Sequence, residues 1–584
     1  MGAVYRATDR LNGQTVAFKR VLSSATQTTE GMTQEVNDLR LALAREFQML
    51  ASIRHPNVIS VLDYGFDSEK QPYYTMSILQ SPQDFLQAGQ NQPLYIQVKL
   101  LTQLLQAISY LHRRNIIHRD LKPTNVLVEN EETVRVLDFG LATLADQEDE
   151  DGMMAGTLAY MAPEVFEGMP LTHAADLYAV GVMAYELFVG RHPYNLTDVR
   201  QLMQDVMFAE PDMAPLSKTI RIEPIPELTE LADETKAISV HEVGEHLAPF
   251  LTKLMAKTPE DRFSTADEAL HALLQATSQP IPMETEAIRE SFLQAARFVG
   301  REAELGTLLV ALTQTQHGSG STWLIGGENG VGKSRLIDEI RVRAMVSGMT
   351  VLRGQAVRDG GAPYAVLRLP LQRLALGSDI GANEASILQT ILPEIEQLTD
   401  FTVRDPVPLE PQQAQERLIG AVVSLLRRET TPTLLILEDL HWATESHDLI
   451  ERINGLTDNL PLMVIGSYRD DEIPDLPNVL SSMSVLKLAR LTEENTTQLA
   501  RSMIGTAADD PKVVGLLHKE TEGNAFFLVE VVRALAEDAG TLSAISRQTL
   551  PKEVFAGGIQ QVIERRVERI PAIARPLFEV AAVL

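Results

Sequence analysis

The sequence predicts a multidomain chain with an α+β region first and an α/β region after it. Three observations carry this. Over residues 1–275 strand-like segments come first and apolar helices follow. From Phe298 onward the order becomes strand, loop, helix, repeated, which is the signature of a parallel sheet covered by helices. Between them, residues 276–297 include SQPIPMETE, with two prolines and little apolar pattern, and read as a linker leading into a short helix.

The elements follow in order. Thr15–Val21 is strand-like, and Leu39–Ile53 places Leu43, Phe47 and Leu50 on one helical face. Leu94–Arg114, Ala175–Phe188 and His246–Met255 are further apolar helices. In the second region Thr322–Gly326, Thr350–Arg353, Thr433–Leu437 and Leu462–Ser467 are the strand candidates, and beyond about residue 485 the chain reads as helical. There is no tandem repeat.

Composition bounds the function. With 584 residues the chain has room for roughly three to five domains. A net charge of -28 argues against gripping nucleic acid through bulk charge. The absence of cysteine rules out disulfides and thiolate-bound metal, and the twelve histidines show no paired ligand spacing. No run of about twenty apolar residues appears. Arg6, Asp9 and Arg10 interrupt any signal peptide, so a cytoplasmic location is expected.

Two phosphate-binding motifs of unrelated design occur. The first is HRDLKPTN at His118–Asn125, followed by DFG at Asp138–Gly140, APE at Ala162–Glu164, DLYAVG at Asp176–Gly181 and Arg262. Phosphoryl transfer needs carboxylates for metal, cations on the phosphates and a group that orients the attacking hydroxyl. Lys19 in VAFK is placed for the α/β-phosphates, and Glu46 is placed to hold Lys19. Asp120 orients the substrate hydroxyl and Lys122 neutralises the moving phosphoryl group, while Asn125 and Asp138 hold Mg2+. Any one of these charges alone would be an ordinary surface residue; the ordered set is what carries the reading.

This region resembles the bacterial Hanks-type Ser/Thr protein kinases over about residues 1–275. The resemblance implies a bilobal fold, a buried Glu164–Arg262 ion pair, support of the catalytic-loop backbone by Asp176, and Ser/Thr on proteins as the acceptor. Of the family's GxGxxGxV loop only Gly2 and Val4 remain, so weak ATP binding by the chain as written is expected. Asp146–Asp151 carry five acids where the activation segment would lie. They read either as a solvated run or as a stand-in for a loop phosphate facing Arg119.

The second motif is GENGVGKS at Gly327–Ser334, after a strand and at the start of a helix. Gly327, Gly330 and Gly332 let amides point at phosphate oxygens, Lys333 adds positive charge, and Ser334 can ligate Mg2+. TLLILEDLHW at Thr433–Trp442 supplies an apolar strand ending in acids. There Glu438 would hold Mg2+ and Asp439 would orient water.

FVGRE at Phe298–Glu302, Leu435–Ala443 and GSYR at Gly466–Arg469 resemble the STAND-type AAA+ ATPases. The resemblance implies an ATPase core over 298–485, a helical lid over 486–549 that includes EGNAFFLVEVVRAL, and a cut-off winged helix over 550–584. It also implies that FVGRE lies near the adenine and that Arg469 senses the γ-phosphate. Two departures are Glu438 where the family has Asp, and Ala525 where it more often has proline. His118, Trp323 and Trp442 read as structural residues.

The expectation is therefore a Ser/Thr protein kinase using ATP and Mg2+, regulated by a fused ATP-binding module, with a homo-oligomer through that module as a candidate assembly. The alternative is a nucleotide-controlled scaffold with a passive kinase module. Both ends read as cut from a longer protein.

Overall fold

The computed structural model describes residues 2–21, 53–67, 71–130, 132–138, 158–216, 240–279, 286–294, 298–358, 363–398, 409–505 and 510–539, with single positions or pairs at 43, 47, 50–51, 402–403, 508 and 574. Two compact units emerge, the first built mainly from residues up to Ala295 and the second mainly from Ala296 onward.

The first unit opens with strands β1 (Gly2–Thr8), β2 (Thr15–Val21), β3 (Val61–Phe66) and β4 (Pro72–Ser77), in the order β1-β2-β4-β3. A second sheet joins β5 (Gln83–Asp84), β6 (Val126–Glu129) and β7 (Thr133–Val136) by antiparallel pairing. Helices form the rest. Helix α1 (Leu94–Arg113) buries Val98, Leu101, Leu105 and Ile108 at helical spacing. Helix α2 (His173–Val189) is apolar nearly all round and buried nearly all round. It ends where Gly190 takes φ 83°, a left-handed cap that glycine adopts without a Cβ clash. Helices α3 (Val240–Leu254) and α4 (Ala266–Ala276) pack nearby, α3 on α2 and α4 on α1.

The second unit is a five-stranded sheet. Strands β8 (Ser321–Gly326), β9 (Thr350–Gln355), β10 (Thr433–Glu438), β11 (Leu462–Tyr468) and β12 (Ser484–Lys487) lie in the order β12-β8-β11-β10-β9. Every pairing is parallel. Both central strands, β10 and β11, are buried at every residue. Their unbroken apolar runs fit strands covered on both faces. Helices α5 (Glu302–Gln316), α6 (Lys333–Val346) and α7 (Pro411–Arg428) flank the sheet, and α8 (Glu493–Ile504), α9 (Pro511–Thr521) and α10 (Ala525–Ala539) pack on one another after it.

The four strand candidates of this unit fall on β8 to β11. The fifth strand, β12, was read as the start of the helical region; its residues Ser484–Lys487 are short and largely exposed, as an edge strand's are. The short helix expected after the linker is Glu286–Gln294. Glu46, Phe139, the acidic run at 146–151 and nearly all of 550–584 lie outside the described residues.

Candidate functional site

In the first unit the catalytic-loop motif sits between α1 and β6. The 3-10 turn Pro123–Asn125 follows Lys122. It brings two side chains onto one carboxylate, that of Asp120. Lys122 Nζ lies 3.1 Å from Asp120 Oδ1 and 2.9 Å from Oδ2. Asn125 Nδ2 donates to the Asp120 carbonyl at 2.8 Å and to Oδ2 at 2.9 Å. The Asn125 amide oxygen is an acceptor of the kind a hard cation takes. After β7, Lys19 Nζ from β2 donates to Asp138 Oδ1 at 2.6 Å.

The loop is held from below. Asp176, at the start of α2, accepts from the backbone N–H of His118 at 2.9 Å and of Arg119 at 3.0 Å. His112 Nε2 lies 2.9 Å from the same carboxylate. Burial pushes the Asp176 pKa up, but the His112 hydrogen bond and charge outweigh it and hold the carboxyl below its usual range. His118 is buried with Nε2 2.8 Å from the Leu137 carbonyl, and burial lowers its pKa, so it serves as a neutral strut. Arg262 forks onto Glu164 with two contacts of 2.7 Å, at 0% and 3% side-chain exposure. Arg119 and Asp138 both take left-handed backbone, φ 72° and 48°. Such conformations persist where surrounding contacts over-determine them.

In the second unit the loop between β8 and α6 turns on three glycines. Gly327, Gly330 and Gly332 have φ of 156°, 83° and 102°, values that L side chains rarely adopt. Lys333 opens α6 and folds back, its Nζ donating to the carbonyls of Gly327 at 2.7 Å and Glu328 at 2.9 Å. Burial lowers the Lys333 pKa, the Arg469 charge adds to this, and Asp471, Asp439 and Asp470 oppose it. Lys333, Asp439 and Arg469 thus share one electrostatic neighbourhood.

Glu438 ends β10 and is 3% exposed, but it is not alone there. Arg353 of β9 reaches it, Nε at 2.7 Å and Nη2 at 2.6 Å from Oε1. Asp439 has φ 58°; its N–H donates to Ser467 Oγ at 3.1 Å and its Oδ2 accepts from Gln355 at 2.9 Å. Arg469 pairs with Glu472 at 2.6 Å and lies 4.9 Å over the Trp442 ring. Trp442 is half-buried against the core as well.

Several residues grip the loop in ways the sequence reading did not assign. Asn524, capping α10, donates to the Asn329 carbonyl at 2.8 Å and accepts from the N–H groups of Phe526 and Phe527. Phe526 N–H donates to the Gly330 carbonyl at 3.0 Å. Arg301 of FVGRE donates to the Val331 carbonyl at 3.1 Å and to that of Ala489. Arg490 pairs with both Glu328 and Glu522. The motif EGNAFF was the available signal for Asn524; nothing local marks Arg353 or Arg490.

Both sites offer hard oxygen donors: Asp138 and Asn125 in one, Ser334 and Glu438 in the other. These fit Mg2+, which takes one or two protein ligands and completes its shell with phosphate and water. Among the described residues no group of three or more His, Asp or Glu is arranged to cage a metal by itself. No helix of the described residues is long and apolar enough to cross a membrane.

Comparison with known proteins agrees with this geometry. Residues 1–274 match the protein kinase domain family, and residues 297–465 match the AAA ATPase domain family. The serine/threonine-protein kinase pkn3 of Myxococcus xanthus is 34% identical over 248 residues, 40% of this chain and 41% of that protein. CBL-interacting protein kinase 16 of rice (Oryza sativa subsp. japonica) is 31% identical over 217 residues, 36% of this chain and 46% of its own length. The probable serine/threonine-protein kinase PknB of Lactococcus lactis is 32% identical over 200 residues, 33% of this chain and 30% of that protein. The chain spans less than half the length of these curated relatives. It carries a protein kinase domain followed by an AAA ATPase domain.

Proposed function

We propose that this chain transfers the γ-phosphate of ATP to a Ser or Thr hydroxyl of a protein, under the control of the second nucleotide-binding module. The observation that carries the first half is the Asp120 carboxylate held by Asn125 and Lys122, with the Lys19–Asp138 contact in the same unit. Asp120 accepts or orients the hydroxyl proton, and Lys122 balances charge on the moving phosphoryl group. Lys19 binds the α/β-phosphates with Glu46 as its partner, and Gly2 and Val4 cover them. Asn125 and Asp138 hold Mg2+, which supplies charge neutralisation at the phosphates. Relatives named as Ser/Thr kinases support the choice of acceptor.

In the second module Gly327, Gly330, Gly332 and Lys333 bind phosphate, Ser334 and Glu438 hold Mg2+, Asp439 orients water and Arg469 reads the γ-phosphate. Its likeness to STAND-type ATPases supports a switch rather than a motor, with α8 to α10 acting as a lid. Release of the lid biases kinase assembly, and association of the modules brings kinase domains together for phosphorylation in trans. The protein then works in signalling, in the cytoplasm.

The test is autophosphorylation of the full chain with γ-labelled ATP. Asp120→Asn should lower label incorporation by roughly 10²–10⁴-fold. Incorporation within twofold of the unsubstituted chain would sink the kinase reading.

A further inference from the structure

The metal-side carboxylate of the second module already has a cation on it. Arg353 stands opposite Ile436 in the β9–β10 register. Glu438 lies two residues further along β10, on the same face because side chains alternate along a strand. Two guanidinium nitrogens converge on Glu438 Oε1 at 2.7 and 2.6 Å. The third, Nη1, reaches Asp338 Oδ1 at 3.1 Å. Asp338 sits on α6, the helix that Lys333 opens. One arginine therefore ties the end of β10 to the phosphate-loop helix.

The two partners differ in freedom. Glu438 is 3% exposed on its side chain and Arg353 is 41% exposed. The carboxylate cannot follow the arginine out, but the arginine can move to water. A guanidinium and a divalent cation cannot share one carboxylate oxygen without strong repulsion. The extra methylene of glutamate, compared with the aspartate usual in the resembling family, supplies reach toward β9.

We infer that Arg353 is a positioning residue that stands in for the metal at Glu438. In this arrangement the loop takes up nucleotide without help from Mg2+, and metal joins Glu438 only after Arg353 leaves. The inference rests on the phosphate-loop reading of residues 327–334. It makes metal recruitment a separate, switchable step, with Asp338 as the second anchor that keeps the arginine near.

The experiment titrates the full chain with the fluorescent diphosphate mant-ADP, once in EDTA and once in excess Mg2+. The Lys333→Ala chain, titrated alongside, gives the signal belonging to the kinase domain. For the unsubstituted chain, Mg2+ should change the Lys333-dependent affinity by less than about threefold. In Arg353→Gln it should tighten binding by roughly tenfold or more, the order expected when one positive charge is removed near a divalent ion. A tenfold gain from Mg2+ in the unsubstituted chain overturns the inference, and that arm holds even if the variant fails to fold. Equal indifference to Mg2+ in Arg353→Gln overturns it too. Absence of any Lys333-dependent binding in either buffer overturns the phosphate-loop reading, and the inference with it.

Discussion

The motifs of the kinase domain and of the ATPase domain are held by a different balance of contacts. In the first, side chain holds side chain: Asn125 and Lys122 on Asp120, Lys19 on Asp138, Arg262 on Glu164. In the second, the backbone itself is gripped. Lys333, Arg301, Asn524 and the Phe526 amide all end on carbonyls of Gly327–Val331. A site made of charged side chains fails when a partner is deleted. A site made of left-handed backbone fails when a methyl is added.

The largest expected effect deletes a charge in the first domain. Glu164→Gln leaves the Arg262 guanidinium buried without its counter-charge. Losing one member of a buried pair costs about 3–5 kcal/mol. Chemical denaturation of the full chain should show one of two transitions shifted by that amount and the other unmoved. An unshifted kinase transition would mean that the pair is not the anchor its geometry implies.

A smaller effect comes from adding a methyl in the second domain. At Gly330 a Cβ would lie 2.6 Å from Asn524 Oδ1 and 2.7 Å from Phe526 Cβ, at φ 83°. Gly330→Ala should cost about 1–3 kcal/mol through strain and displacement of α10. Hydrogen exchange over 525–539 should quicken with the kinase domain unchanged. Unaltered protection there would show that the contact between α10 and the loop is not tight.

A third effect depends on pH and is confined to the kinase domain. His55 is buried, accepts from the Asn57 N–H on Nδ1 at 3.0 Å and lies 4.8 Å from the Tyr110 ring. Burial, with the Arg135 charge second, lowers its pKa to about 3. Between about pH 6.5 and 3 the unfolded chain binds the proton and the folded one does not, so stability is full above 6.5 and falls with falling pH. The slope from this residue approaches about 1.4 kcal/mol per pH unit. His55→Asn should flatten the acid limb of the kinase transition, and an unchanged slope would assign the acid sensitivity to other groups.

The sequence was more legible where chemistry is tied to contiguous residues. HRDLKPTN and GENGVGKS each bring their own polar groups together over a few consecutive residues. Strands β10 and β11 were legible because both faces are covered and their runs are nearly continuously apolar. Strand β12 was not, because Ser484–Lys487 is a short edge strand with no such run. Arg353 was not legible because its meaning comes from register: Arg353 and Glu438 are 85 residues apart in sequence and brought together only in the sheet. Arg490 is similar, joining Glu328 to Glu522 across separate segments. Gln355, the partner of Asp439, is set by the fold, whereas Glu472 lies only three residues from Arg469.

The central claim is that the ATPase domain controls the kinase domain. The most direct measurement is the autophosphorylation rate of the full chain carrying Lys333→Ala, compared with the unsubstituted chain across ATP concentrations. Lys333 lies on α6 of the second unit, outside the kinase domain match at residues 1–274. Control predicts a rate changed several-fold, in either direction, with Asp120→Asn silent in both backgrounds. Superimposable rates for Lys333→Ala and the unsubstituted chain at every concentration would contradict it.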